Sequence, residues 1–357
     1  MLTALFALAG CSEGFPVPDP SSVVSLVIEP AELTVYTSPE GGSITDFELM
    51  SRRVDGSLVE LEEAEWTLSN RTVGEIDETG EFEASVDNGG VANVLARFAG
   101  IEAQALVTVV FVDVIASEGI DVAAFDVPRI AHPGLWTYPP NGVNLPRNTP
   151  SLSFQWADVG ATAARIRFRS AVTDLTVYAA GTSWTADEAT WASLVGTNAG
   201  GSVEVELSLL VGTEVWSEEV ITVNVNRFDA RGAIYYWSTS AYGIRRIAYG
   251  SQAEDFLTAA TTGYCVGCHS VRGDRIGYTF DGGNGAFGLR NIGSGTDVIH
   301  HESGVFGNFN TISPDESRVL VALQGSLLLY DAGTGALIGE VATGGWATHP
   351  DWSPDGT

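Results

Sequence analysis

The stretch Ser313–Gly345 reads SPDESRVLVALQGSLLLYDAGTGALIGEVATGG. It contains three short apolar runs, and turn residues rich in Gly and Asp separate them. Short apolar runs bounded by such residues, without helical periodicity, indicate β-strands joined by tight turns. The same pattern recurs throughout the 357 residues, of which 41 are Gly. The sequence therefore predicts an all-β protein.

Related segments begin at Ser270 (SVRGDRIGYTF), Ser313 and Ser353 (SPDGT), in steps of 43 and 40 residues. A period of about forty residues, with a Ser…Asp turn leading into a strand, is typical of propeller blades. The final THPDWSPDGT resembles the repeat of TolB-type (WD40-like) propellers. The resemblance implies a partial β-propeller over 229–357, opened by a hairpin at 233–250. Because each blade needs neighbours on both sides, we expect this chain to be the N-terminal part of a longer protein.

Two further segments are similar to β-sandwich families. Residues 23–112 resemble a group 2 bacterial immunoglobulin-like (BIG2) domain, on the basis of Pro30, the Trp66–Asn70 stretch, the turn ending at Gly80 and a final alternating strand. Residues 151–228 resemble a fibronectin type III sandwich. Between them, residues 113–150 contain six prolines, which predicts a linker or an irregular segment.

In 151–228, Arg165, Arg167 and Arg169 alternate with apolar residues, which places them on one strand face, either as a recognition ridge or as a solvated surface.

The chain begins MLTALFALAGCSEG, and Leu8-Ala9-Gly10-Cys11 resembles the lipobox of bacterial lipoproteins. The resemblance implies cleavage before Cys11 and acylation of that cysteine, with 1–22 serving as signal and tether. The apolar run is too short to span a bilayer. Ser12 beside the cysteine implies sorting to the outer membrane. We therefore expect an exported outer-membrane lipoprotein of the cell envelope, which contacts the membrane only through its lipid anchor.

The formal net charge is −28, and the chain has 17 basic against 45 acidic residues. A chain this acidic repels phosphate backbones, so we expect no nucleic-acid partner.

The motif Cys265-Val-Gly-Cys268-His269 is the strongest chemical signal in the chain. Two thiols at this spacing can form thioethers with the vinyl groups of a haem, and the adjacent imidazole can reach its iron. The motif resembles that of c-type cytochromes, and the resemblance implies covalent haem c with His269 as the proximal iron ligand. The similarity is confined to the motif and the short AEDFLTAA segment before it, which we expect to be a helix.

Three other readings of the cysteine pair stay open. A Cys265–Cys268 disulfide is compatible with an oxidising compartment, although it closes a very small loop. A zinc site could combine the two thiolates with His300 or His301. A redox dithiol would require a strand-to-helix context, whereas RIGYTF predicts a strand after the motif.

The distal iron ligand has three histidine candidates. Met50 lies in the first predicted sandwich and Met1 in the predicted signal peptide, so methionine is not expected on the iron. His300 and His301 follow His269 by about thirty residues, and His349 opens the third repeat. We expect bis-histidine ligation, with His300 or His301 ahead of His349.

These features predict a haem protein for electron transfer or redox sensing at the envelope, with an unidentified redox partner or envelope protein. The alternative is a non-redox binding or scaffolding propeller on an adhesin-like stalk, with Cys265 and Cys268 in a disulfide. The sequence shows no catalytic constellation, which argues against an enzyme.

Cys11→Ser should release the protein from membranes into the soluble envelope fraction, because the acylation site is lost. Fractionation followed by immunoblotting measures the shift. Cys268→Ser is the matched control and should stay with the membranes. Unchanged membrane association of Cys11→Ser would contradict the lipoprotein prediction.

Overall fold

The computed structural model describes residues 23–281, 285–300 and 303–356. Cys11 and His301 lie outside these ranges. Within them, strands dominate and the two α-helices are short, which confirms the all-β prediction. The chain divides into two compact units, one ending at Asp229 and one formed by Ala230–Thr357.

The first part of unit one contains ten strands and a 3-10 helix, Arg71–Val73. The strands are β1 (Val23–Glu29), β2 (Glu32–Thr37), β3 (Ile44–Asp46), β4 (Glu48–Arg53), β5 (Leu58–Leu61), β6 (Glu65–Leu68), β7 (Gly74–Ile76), β8 (Glu81–Ala84), β9 (Gly90–Phe98) and β10 (Ile101–Ala116). Alternate residues of β10 are buried, including Val107 and Val109, and they share a core with Ile28 of β1. This period-two burial is the signature of a strand with one face in the core.

The second part of unit one contains ten strands, the helix α1 and a 3-10 helix, Val122–Phe125. These elements are β11 (Arg129–Ala131), β12 (Trp136–Tyr138), β13 (Val143–Leu145), β14 (Ser153–Trp156), β15 (Ala163–Ser170), β16 (Thr173–Ala179), β17 (Ser183–Thr185), α1 (Glu188–Thr197), β18 (Ser202–Val211), β19 (Glu214–Ser217) and β20 (Ile221–Val225). Asp187 caps α1 by accepting a hydrogen bond from the Thr190 amide, which satisfies a donor that a helix start leaves open.

Strand β10 connects the two parts of unit one. It pairs with β9 and β2, and its last six residues pair in parallel with β16, from Phe111 opposite Thr173 to Ala116 opposite Tyr178. The predicted boundary at residue 112 therefore falls inside a strand. The Pro-rich stretch 113–150 contains β11, β12 and β13, and β13 pairs in parallel with β20.

The arginines of β15 lie on one strand face, as the alternation predicts, because Ile166 and Phe168 are buried in the core. Arg165 is only 8% exposed, and its guanidinium lies 5.3 Å from the centroid of the Phe125 ring. Arg167 and Arg169 both lie within 4 Å of the Asp174 carboxylate, at 3.6 and 3.7 Å. Phe125 thus covers Arg165, and Arg167 and Arg169 form ion pairs with Asp174. These contacts argue against a recognition ridge formed by the three arginines.

Unit two consists of one three-stranded and two four-stranded antiparallel sheets. Its elements are β21 (Ala233–Ser238), β22 (Gly243–Ala248), β23 (Glu254–Leu257), α2 (Ala259–Thr262), β24 (Val266–Arg272), β25 (Arg275–Phe280), β26 (Phe287–Asn291), β27 (Asp297–Ile299), β28 (Phe309–Ile312), β29 (Arg318–Leu323), β30 (Ser326–Asp331) and β31 (Leu337–Val341). Each sheet follows chain order, so every strand pairs with its sequence neighbour. The propeller stays a prediction, and the meander order is one that propeller blades share with other antiparallel folds.

The two four-stranded sheets contact each other through β24 and β28. The Ser270 hydroxyl donates a hydrogen bond to Oδ1 of the buried Asn310, and Arg275 donates to the carbonyl of Ala332. Gly277 leaves room for Asn310, since a Cβ there would lie 2.2 Å from its Oδ1. Ser270 and Asn310, which are forty positions apart, therefore meet at this contact.

Phe154→Ala should destabilise unit one by roughly 3–5 kcal/mol, because it removes a fully buried ring and leaves a cavity. Phe154 is 1% exposed and its ring centroid lies 5.0 Å from that of Phe168, edge to face. Urea unfolding measures the loss. The exposed Gln155 on the same strand is the matched control, and Gln155→Ala should stay within about 0.5 kcal/mol of wild type. Equal stability of the two variants would contradict this core assignment.

Candidate functional site

The cysteine motif begins in the loop after α2 and continues into β24. The AEDFLTAA segment does not form one helix as expected, because Glu254–Leu257 are strand β23 and α2 begins only at Ala259. The Thr258 amide donates a hydrogen bond of 2.9 Å to the Thr261 hydroxyl at the start of α2, and Gly263 ends the helix with φ 78°. That left-handed conformation favours glycine. Cys265 follows in the loop, and its carbonyl accepts a hydrogen bond of 2.9 Å from the Asp281 amide. The backbone on either side of the first thiol is therefore fixed.

Cys268 lies at a bulge in β24. Val266 pairs with Phe280 and His269 with Tyr278, so Gly267 and Cys268 together face Thr279. The extra residue interrupts the regular ladder at the second cysteine. Cross-strand partners share a sheet face, so His269 lies on the face of Tyr278 and Phe280. Cys268 lies on the opposite face, with Thr279.

Both cysteines of the motif are free thiols, and each is half-buried. They are therefore neither sealed in the core nor fully exposed. Cysteine reactivity requires this kind of access.

His269 is half-buried, and its Nε2 lies 3.4 Å from the carbonyl oxygen of Tyr235. Burial lowers the pKa of His269 below its ordinary value, and the Tyr235 contact opposes this shift only in part. The imidazole is consequently neutral at pH 7, which is the form that ligates metals.

Two aromatic residues contact the backbone of the motif. The indole of Trp237 donates a hydrogen bond of 2.9 Å to the carbonyl of Val266, and the Tyr242 carbonyl accepts one from the Val266 amide. Trp237 is 48% exposed, Tyr242 61% and Tyr264 49%. The backbone between the two thiols therefore contacts one partly exposed indole, that of Trp237. Sequence reasoning missed these residues, although the aromatic run 235–237 in the preceding hairpin was a usable signal.

The structure does not bring His300 next to His269. His300 follows β27, and β24 forms the opposite edge of the same four-stranded sheet. Strands lie about 4.8 Å apart, so roughly 14 Å of sheet separates these two edges. The buried Tyr278 of β25 fills part of this space, and its hydroxyl donates a 3.2 Å hydrogen bond to Asp297. His300 Nε2 lies 3.9 Å from the other carboxylate oxygen of Asp297.

Asp297 is also held by Arg290, whose guanidinium donates two hydrogen bonds of 2.6 and 3.0 Å. Burial alone would raise the pKa of Asp297, but the hydrogen bonds and charge of Arg290 outweigh it and the pKa is lowered. Burial raises the pKa of Tyr278 far above its ordinary value. Asp297 therefore stays ionised and Tyr278 stays neutral at pH 7. The hydrogen bonds of Arg290 and Tyr278 to Asp297 stabilise the outer edge of the sheet.

His349 is exposed and stacks on Phe309 of β28, with ring centroids 3.6 Å apart. Strand β28 contacts β24, so His349 stacks on a strand that neighbours the motif. His301, the remaining histidine candidate, lies outside the described residues. Within those residues, no three His, Cys, Asp or Glu side chains converge as a metal site would require.

No protein-family model and no curated protein matches the chain. Solved structures with some similarity include a mitotic checkpoint complex, with 12% identity, 99% of this chain and 91% of that chain covered, and a TM-score of 0.24. A eukaryotic initiation factor has 11% identity, coverage of 90% and 78%, and a TM-score of 0.26. An S-layer protein has 13% identity, coverage of 75% and 37%, and a TM-score of 0.21. At these TM-scores the similarities carry no argument about this chain.

Across the described parts of the chain, no helix is both long and apolar enough to cross a bilayer.

The Cys11→Ser protein, purified under reducing conditions without haem maturation, should react with a thiol reagent at two sites while still folded. Both thiols are half-buried and unpaired, so the reagent can reach them without unfolding. Spectrophotometric thiol titration measures the number. Adding Cys268→Ser should reduce it to one. A reaction that begins only in denaturant would contradict the accessibility of these thiols.

Proposed function

We propose that this protein is an exported, lipid-anchored haem c protein that carries electrons or senses redox state at the cell envelope. Cys265 and Cys268 attach the haem, and His269 is its proximal ligand. The immunoglobulin-like and fibronectin-like sandwiches form a stalk, and the sheets of unit two are TolB-type propeller blades.

One observation carries the proposal: two free, half-buried thiols lie at haem c spacing, next to a half-buried imidazole. Thioether formation needs two thiols that the haem vinyl groups can reach, and neither cysteine is sealed in the core. The partly exposed indole of Trp237, which is hydrogen-bonded to the Val266 carbonyl between the two cysteines, offers apolar surface close to them. Such a surface lowers the cost of placing a large, flat, apolar group there. The two thiols and the adjacent imidazole are therefore the side chains that a covalently attached haem requires.

His269 would have to reorient before it could bind iron. Its Nε2 must leave the Tyr235 carbonyl, a 3.4 Å contact at the long end of hydrogen-bond distances. The bulge at Gly267–Cys268 is where β24 is already irregular, so this segment is the part of the strand best able to turn. The haem iron, when bound, supplies one-electron chemistry, and the chain supplies attachment, a neutral imidazole and partial shielding from water.

Distal ligation by His300, His301 or His349 belongs to the same proposal. His300 is held beside Asp297 at the far edge of the sheet, and His349 is stacked on Phe309. Each of these two would have to give up its present contact. The described geometry therefore supports the attachment residues more strongly than the bis-histidine ligation that the sequence predicts.

Expression with the haem c maturation system should give a Soret band and a haem stain that survives denaturing electrophoresis. The double variant Cys265→Ser/Cys268→Ser should lose the covalent stain entirely, because no thioether can form. Val271→Ala, which changes a residue of the same strand outside the motif, is the matched control and should stain like wild type.

If the wild-type protein carries no covalent haem under these conditions, the proposal is wrong. In the scaffolding alternative, mass spectrometry of the exported protein would show two hydrogens fewer than the dithiol form, both restored by a reductant. That result identifies a Cys265–Cys268 disulfide.

A further inference from the structure

We propose that unit one binds a neutral polysaccharide in an open cleft beside β13 and β20, a site independent of the haem proposal. The cleft has a volume of about 600 Å³. The residues that line it are Asn144, Gly200, Gly201, Ser202, Asn224, Val225, Asn226, Arg227 and Phe228.

The strand register forms a row of polar side chains along the cleft. Asn144 of β13 pairs with Asn224 of β20, and Asn224 also pairs with Ser202 of β18. These three residues therefore share the outer face of the sheet, while Val223 and Val225 point into the core. The row crosses three strands at one level. Strands fix its spacing more firmly than a loop would.

Two of the amides are already oriented by the backbone. Nδ2 of Asn224 donates to the carbonyls of Gly142 and Val143, both at 3.3 Å, so its Oδ1 is left as an acceptor. Oδ1 of Asn226 accepts from the Phe228 amide at 3.1 Å, so its Nδ2 is left as a donor. Donors and acceptors side by side match the hydroxyls of a sugar, each of which both donates and accepts.

Phe228 provides an apolar surface at the same cleft. It is 73% exposed, and an exposed phenyl ring gains free energy when an apolar group covers it. A pyranose ring has a flat face of C–H groups and a rim of hydroxyls. Its face can cover Phe228 while its rim meets the amide row.

The charge of the cleft selects for a neutral glycan. The described residues that line it include no carboxylate, and Arg227 is the one charged side chain among them. The chain as a whole carries −28, so an acidic polysaccharide would be repelled on approach. Gly200, with φ +84°, leaves room for Arg227, whose Nε lies 3.2 Å from the position of a Cβ there. The guanidinium can then donate to uncharged hydroxyls at the cleft.

Affinity electrophoresis of the full chain in gels containing dextran, mannan, galactan or xylan tests the proposal. At least one polysaccharide should retard the wild-type protein. Phe228→Ala and Asn144→Ala should each weaken that binding at least tenfold, about 1.4 kcal/mol. Both side chains are exposed, so neither substitution threatens the fold. Phe306→Ala removes a phenyl ring that is 52% exposed in unit two and should bind like wild type.

Three results would overturn the proposal. They are the absence of retardation in all four gels, wild-type binding by Phe228→Ala, and retardation by polygalacturonate without retardation by any neutral polysaccharide. Thermal unfolding of each variant verifies that a loss of binding is not a loss of structure.

Discussion

The last six residues of β10 hydrogen-bond in parallel to β16, and the residues before them pair with β9 and β2. One continuous strand thus contributes to both hydrophobic cores of unit one. Buried backbone amides and carbonyls need hydrogen-bond partners. Because β10 is continuous, moving it out of one core would also break its hydrogen bonds in the other. The cleft beside β13 and β20 depends on this arrangement, because β20 pairs with β18, β18 with β15, and β15 with β16.

In unit two the corresponding constraint is the pairing of β24 with β25. It places His269 opposite Tyr278 and shifts the register at Gly267 and Cys268. A regular helix would place the two cysteines, which are three positions apart, on one surface, whereas in this strand the second cysteine and the histidine lie on opposite faces. The haem proposal consequently predicts that the bulge reorganises on attachment. The contact between Ser270 and Asn310 limits how far along β24 such a change can spread.

The sequence identified the motif and the type of fold from local signals. Period-two burial, turn residues and the forty-residue step are properties of neighbouring residues, and the structure confirms an all-β chain. The partners of the motif were not predictable in this way. Tyr235, Trp237 and Tyr242 reach it through pairing between distant segments, and the separation of His300 from His269 follows from the width of a four-stranded sheet.

The sequence by itself determined that the chain folds as strands joined by turns, where the two thiols and the imidazole stand along the chain, and that the molecule is strongly acidic. Spacing and composition suffice for these properties because they require no knowledge of which strands pair. Tertiary structure decided that β10 contributes to both cores, and that β13, which lies in the Pro-rich stretch, pairs with β20. It also decided that Phe125 covers Arg165. Contacts between segments that are distant in sequence decide these features, and no local pattern in the chain encodes them.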